Sequence, residues 1–377
     1  MEKLKKKCAF MKCQMKALVV HPYMSIFGGG ERVCLNVVRA LMEEGINVTL
    51  VSEPIDPNIL KTFLGFNLSG FVHVPYRKFK LRFKKFLVYQ RILYFNFSKL
   101  KIKRIVKDYD IEFLTQSVAF TLGAGRKTIA YVHFPEFFVH LELAKPKTQW
   151  FWKFYYAPML SYLRNKVHKI DIFICNSEYT KKAIKEKWGK DAIVVYPPVD
   201  IEKIKPASKE NLVVTVGRFV KEKNYETVLE VARLLPTINF MIIGRKQDPN
   251  YFEKLRISKP NNVTLLTDLS QEELFREIAR AKVYLHTMIG EHFGVSIVEA
   301  MAAGCIPVVH NSGGQREVVG KLGFLYNDVK DCKECILKAM SKDDADIHKI
   351  ITFAKNFSSE NFRNRIRNIV KNIVEKH

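Results

Sequence analysis

The chain alternates short aliphatic runs, which read as buried strands, with longer segments whose apolar residues fall three and four apart, and it does so in two series. "KALVVHPYM" (16–24) is a buried strand, "SIFGGGE" (25–31) a glycine loop, "RVCLNVVRALMEEG" (32–45) an amphipathic helix ended by Gly45, and "INVTLVSE" (46–53) a returning strand. "IEFLTQS", "KTIAYVHF" and "DIFICNS" continue as strands, with "EYTKKAIKEKWG" a helix. After the proline-marked linker "VVYPPVDIEKIKPASKEN" the alternation restarts: "LVVTVGRF", "INFMIIG", "NVTLLTDL" and "KVYLHTM" are strands, and "NYETVLEVARLL" and "SQEELFREIARA" helices. Strands that alternate with helices form parallel sheets covered on both faces. The expected fold is therefore α/β, with two Rossmann-like, doubly wound domains facing across a cleft. We place them at 15–200 and 211–357, with a helix at about 358–377 packing back on the first.

The 377 residues, 47% of them hydrophobic, suffice for two cores. No apolar run reaches membrane-spanning length, and lysines break up the opening "MEKLKKKCAFMKCQMKALVV", so neither spanning nor secretion is expected. Seven scattered cysteines suit a reducing compartment, and the Cys332–Cys335 pair lacks the second pair that a metal site needs. No cluster has metal-ligand spacing, and no pair of aspartates follows a strand as in transferases that use a divalent ion.

"EHFGVSIVEAMAAGCIPVVHNSGG" (291–314) carries two acids in an otherwise apolar stretch, Glu291 in a loop and Glu299 in the following helix. A helix that starts near Gly294 offers free amides and the positive end of its dipole to a phosphate. Glu291 then lies near the phosphate end of a ligand, and Glu299 can accept hydrogen bonds from a ribose diol. The alternative is a surface acid and a partly buried acid satisfied by neighbours. In "GRFVKEKN", Arg218 and Lys223 follow a strand, with the charge that a departing nucleoside diphosphate needs; the alternative is a pair of cations salt-bridged at a loop.

The two glutamates of "EHFGVSIVEAMAAG", together with "VGRFVKEKN", "VVYPPVD", "YVHFPE" and "FGGGER" in the same order, resemble the retaining family 4 glycosyltransferases of the GT-B fold. The resemblance spans nearly the whole chain. It implies a hexosyltransferase with His133, Arg218, Lys223 and Glu291 in catalytic roles. The implied donor site comprises Gly28, Gly29, Gly30, Arg218, Lys223, Glu291, Phe293, Gly294, Val295 and Glu299. It implies no metal and no cofactor beyond the nucleotide-sugar donor. "GGGERV", "VHFP", "YPPVD" and "HNSGG" are most similar to family members that use GDP-mannose and a lipid-linked glycan acceptor; another nucleotide sugar or a soluble acceptor is the nearest alternative.

The formal net charge of +24 calls for an acidic partner. Residues 57–107 contain no acid, and 77–107 hold twelve lysines and arginines interleaved with aromatic and aliphatic residues. Nucleic-acid binding would use such a stretch but leaves the paired glutamates unexplained. An anionic membrane surface uses it equally well and suits a lipid-carried acceptor. We therefore expect a peripheral protein on the cytoplasmic face of a membrane, with no nucleic-acid partner. Lys80, Arg82, Lys84, Lys85, Trp150 and Trp152 are the contact candidates.

Overall fold

The computed structural model describes residues 15–24, 28–56, 58, 70–76, 87–135 and 146–374. The chain divides into two compact units. One holds the residues up to Asn176, Thr180–Tyr196 and the chain from Phe362 on; the other holds Ser177–Tyr179 and Pro197–Asn361.

In the first unit the described residues form a seven-stranded parallel sheet. Its strands are β1 (Lys16–Val20), β2 (Asn47–Ser52), β3 (Val72–Pro75), β4 (Tyr109–Leu114), β5 (Gly125–Val132), β6 (Ile172–Cys175) and β7 (Ile193–Val194), in the order β3-β2-β1-β4-β5-β6-β7. β1 shows why so apolar a strand is needed. Ala17 and Val19 enter one core with the helix Gly29–Glu43 and with Phe362, Ile366 and Val370 of the helix Ser359–Val374. Leu18 and Val20 enter another core, with Ile92, Phe95 and Ile102 of the helix Leu87–Ile105 and Tyr156, Met159 and Leu163 of the helix Pro146–Val167. Side chains alternate across a strand, so a sheet buried on both faces calls for strands that are apolar at nearly every position.

The second unit has six parallel strands in the order β10-β9-β8-β11-β12-β13. They are β8 (Glu210–Val216), β9 (Asn239–Gly244), β10 (Val263–Thr267), β11 (Ala281–His286), β12 (Ile306–His310) and β13 (Phe324–Tyr326). Within this unit "YPPVD" serves the chain's exit: Val199 N–H donates to Phe357 (3.1 Å), Ser359 N–H donates to Val199 (3.0 Å), and Ser359 Oγ donates to Asp200 (2.7 Å). The turn that starts the helix Ser359–Val374 is thereby pinned.

Strand order reverses between β1 and β4 and again between β8 and β11. Ligands of doubly wound sheets bind at the carboxyl ends of strands beside such points. This architecture agrees with the expected fold class. Four strands lie beyond those expected, β3, β7, β12 and β13: β7 and β13 are two and three residues long, β3 ends in a proline at the sheet's edge, and β12 carries Pro307 within the stretch singled out for its two acids. The first helix also starts earlier than expected, because Gly29 and Gly30 are themselves helical and Gly28 is the cap.

Candidate active site

In the second unit, β8 ends at a point of close backbone approach. Gly217 N–H donates to Ile243 O (2.9 Å), and a Cβ on Gly244 would lie 1.8 Å from Gly217 O, so only glycine fits there. Arg218, next in the chain, is exposed and donates from Nη1 to Gln247 Oε1 (2.7 Å). Lys223 follows on the single turn Lys221–Lys223, and its carbonyl accepts from Thr287 Oγ1 (2.6 Å) beyond the end of β11. That bond joins the two strand ends.

The carboxylate of Glu291 lies at this junction. Its Oε2 is 2.9 Å from Lys223 Nζ and 3.4 Å from His286 Nε2, and its Oε1 accepts from His292 N–H (3.1 Å). Burial would raise the Glu291 carboxyl, but His286 and Lys223 outweigh it and hold the group well below the usual carboxylate range. Burial pushes His286 the other way, below the ordinary imidazole value. The site is thus an anchored carboxylate beside an ammonium group and an imidazole, able to hold sugar hydroxyls and to place positive charge beside a leaving phosphate.

Gly294, at φ 99°, caps the helix Val295–Ala302, so the expected helix start is observed. Glu299 sits in this helix and is 8% exposed, while buried Phe293 packs edge-on against Phe357 (5.7 Å). "HNSGG" braces the loop: Gly290 N–H donates to Ser312 Oγ (2.8 Å) and Gly314 N–H to Glu291 O (2.7 Å). Fully buried Gln315 donates to the carbonyls of Met288 (3.1 Å) and His310 (2.7 Å). Cβ atoms on Gly313 and Gly314 would lie 2.3 Å from Glu291 O and 2.0 Å from His292 O.

In the first unit, Gly28 N–H donates to Glu31 Oε2 (3.0 Å), and the other oxygen of Glu31 lies 4.0 Å from Nε2 of buried His21. His21 Nδ1 is 2.9 Å from Thr115 Oγ1, and His133 Nε2 is 3.1 Å from Thr115 O. A Cβ on Gly30 would stand 3.7 Å from His133 and 3.8 Å from His21. The glycine turn and His133 therefore meet at the switch point of the first sheet, over a histidine that the sequence reading passed over. His286 was passed over too. Both lie at the carboxyl end of a strand, "VVHPY" and "YLHTM", and that position was the available signal.

Among the membrane-contact candidates, Trp150 is exposed, but Trp152 is half-buried and stacks on Tyr156 (5.8 Å) in the core. Phe151 and Phe154 on the same helix are more exposed than Trp152. Lys80, Arg82, Lys84 and Lys85 lie outside the described residues. Among the described residues no group of three or more His, Cys, Asp or Glu is placed to hold a metal ion. No helix there is long and apolar enough to cross a membrane.

Comparison with known proteins bears on the family and the fold. Residues 27–203 match the family model "Glycosyltransferase Family 4", and residues 198–357 match "Glycosyl transferases group 1". The chain is similar to a GDP-Man:Man(3)GlcNAc(2)-PP-Dol alpha-1,2-mannosyltransferase of Dictyostelium discoideum, 25% identical over 94% of this chain and 84% of that protein. The protein of the same name in Homo sapiens is 27% identical, over 88% and 80%. Among solved structures, WaaG, a glycosyltransferase involved in lipopolysaccharide biosynthesis, superposes with a TM-score of 0.71 at 13% identity, over 94% of this chain and 99% of that one. With both halves matched in order and both sheets wound as described, the chain belongs to the family 4 and group 1 glycosyltransferases of the GT-B fold.

Proposed function

We propose that the chain transfers mannose from GDP-mannose to a dolichol-linked oligosaccharide, forming an α-1,2 linkage. The observation that carries the reading is the Glu291 carboxylate, fixed by Lys223 and His286 beside the Gly294-capped helix. The relatives named above, matched over most of their length, support the choice of donor and acceptor.

In this reading the helix amides from Val295 onward and the cations Arg218 and Lys223 receive the charge that grows on the diphosphate as the sugar leaves. Glu299 accepts from the ribose diol, and Glu291 holds hydroxyls of the sugar. The acceptor hydroxyl attacks from the leaving group's own face and gives its proton to the departing phosphate, so no enzyme nucleophile forms. Protein cations take the place of a metal ion in this scheme.

The acceptor places the enzyme at a membrane surface. Leu93, Phe97 and Leu100, at helical spacing, are exposed on the helix Leu87–Ile105, and Trp150, Phe151 and Phe154 on the helix Pro146–Val167. Lys101, Lys103, Arg104 and Lys153 are exposed on the same two helices. Aromatic rings entering the interface while bases meet anionic headgroups is the expected mode of contact.

The test incubates purified protein with labelled GDP-mannose and Man(3)GlcNAc(2)-PP-Dol in excess EDTA. Label should enter the lipid-linked glycan and be removed by an α-1,2-mannosidase. Transfer from a UDP-sugar with none from GDP-mannose overturns the donor, and strict dependence on added magnesium or manganese overturns the metal-free scheme.

A further inference from the structure

The first unit carries a second polar cluster, beside the glycine turn, that the scheme above does not use. Glu53 directly follows β2, and its N–H donates to Pro22 O (3.0 Å) in the segment after β1. It is 4% exposed, and its Oε2 is buried with no hydrogen-bond partner. An unpaired carboxylate oxygen is among the costliest groups to bury, and in a native fold it marks a place that a catalytic role, a bound ligand or a water completes.

The surrounding residues define that ligand. Buried Tyr76 donates its hydroxyl to Pro22 O (the partners lie very close), and half-buried Tyr23 donates its N–H to Gln116 Oε1 (3.2 Å). The Arg91 guanidinium lies 4.8 Å over the Tyr23 ring, whose edge meets Phe120 (5.8 Å). Burial above all raises both phenols; the negative charge of Glu53 adds to this at both, and Arg91 acts against it. These groups lie at the carboxyl ends of β1, β2, β3 and β4, four neighbouring strands.

A carboxylate, a carboxamide, phenols and an aromatic face are the groups that recognise a neutral polyol. A nucleotide phosphate would be repelled by Glu53, while Arg91 is engaged on Tyr23. We infer that Glu53, with Tyr23, Tyr76 and Gln116, forms a saccharide subsite in which Glu53 accepts hydroxyls of the acceptor glycan. The inference deepens the proposed function and rests on its glycan acceptor. Its position suits a lipid-linked substrate. Arg91 and buried Phe95 turn inward from the helix Leu87–Ile105, whose Leu93, Phe97 and Leu100 face out, so the sugar would sit one helix thickness from the surface assigned to the membrane.

The test compares wild type with Glu53→Gln and, as a half-exposed alternative should that variant fold poorly, Gln116→Ala. KM for Man(3)GlcNAc(2)-PP-Dol should rise about tenfold or more, the loss expected for hydrogen bonds to a charged group, while KM for GDP-mannose stays within about twofold. Binding of the free glycan Man(3)GlcNAc(2), followed by saturation-transfer NMR, should weaken in parallel. An unchanged acceptor KM in the folded variants, or equal rises in both KM values, overturns the subsite. If wild type transfers no mannose, the proposed function has failed. The NMR experiment then decides the subsite alone: binding by wild type and not by the variant supports it, and equal binding or none overturns it.

Discussion

At the scale of single residues, the charged groups of the second unit have distinguishable duties. Glu299→Ala removes the acceptor proposed for the ribose diol and should weaken donor binding by about 1.5–3 kcal/mol for each bond lost. Titration of the variant with GDP-mannose, alongside a circular dichroism check of folding, measures this, and unchanged affinity sinks the assignment. Lys223→Ala removes the ammonium group proposed to meet the developing charge. We expect kcat to fall about a hundredfold with a smaller change in donor KM, and a loss confined to KM would show that Lys223 only binds. His21 carries a pH prediction. Burial opposes its charge, but Cys34 and Glu31 outweigh that and push it up to about 9 from 6.5. A folded-state value above the unfolded one stabilises fully below about pH 6.5 and loses that contribution as pH rises through about 9. The melting-temperature gap between wild type and His21→Gln should therefore shrink from pH 6 to pH 9.5; a gap that widens contradicts the assignment.

At the scale of elements, the loop Gly290–Gly294 is held from outside itself. Gly314→Ala would drive a methyl group against His292 O, where a Cβ would stand at 2.0 Å, so the two backbones must part. We expect a loss of about 1–3 kcal/mol in stability, read from urea denaturation. A larger proportional loss of donor affinity should accompany it, because the displaced backbone carries Glu291. An alanine variant with wild-type stability and affinity would mean that the brace is dispensable. "HNSGG" served the sequence analysis only as part of a resemblance. Its duty was not legible there, because Gly313 and Gly314 meet Glu291 and His292 only once β11 and β12 pair.

At the scale of the whole molecule, the net charge of +24 and the outward aromatic residues suit the membrane contact proposed above. Each base near an anionic surface contributes about 1 kcal/mol, and each phenylalanine withdrawn from water about 1.5–3 kcal/mol. Phe97→Ser combined with Phe154→Ser should reduce co-sedimentation with acidic liposomes about tenfold or more. Wild type should also sediment poorly with neutral lipid. Equal sedimentation of variant and wild type with acidic lipid would remove these helices as the contact and favour a soluble acceptor.

The sequence by itself determined the layered α/β architecture, because a sheet covered on both faces demands continuous aliphatic strands separated by amphipathic helices. It also located Glu291, Glu299 and the Gly294 helix start, since glycine at a left-handed cap and acids in an apolar stretch are local signals. Only the tertiary structure decided which groups act on them. The Lys223–Glu291 pair joins residues 68 apart in sequence, His286 reaches the same carboxylate, and Trp152 turned inward while Phe151 and Phe154 turned outward. Glu53 shares the strand-end position of His21 and His286, but its neighbours were not legible: only the pairing of β3, β2 and β1 brings Tyr76, Glu53 and Tyr23 to one end of the sheet, and neighbours set by strand pairing are long-range facts that no local spacing records.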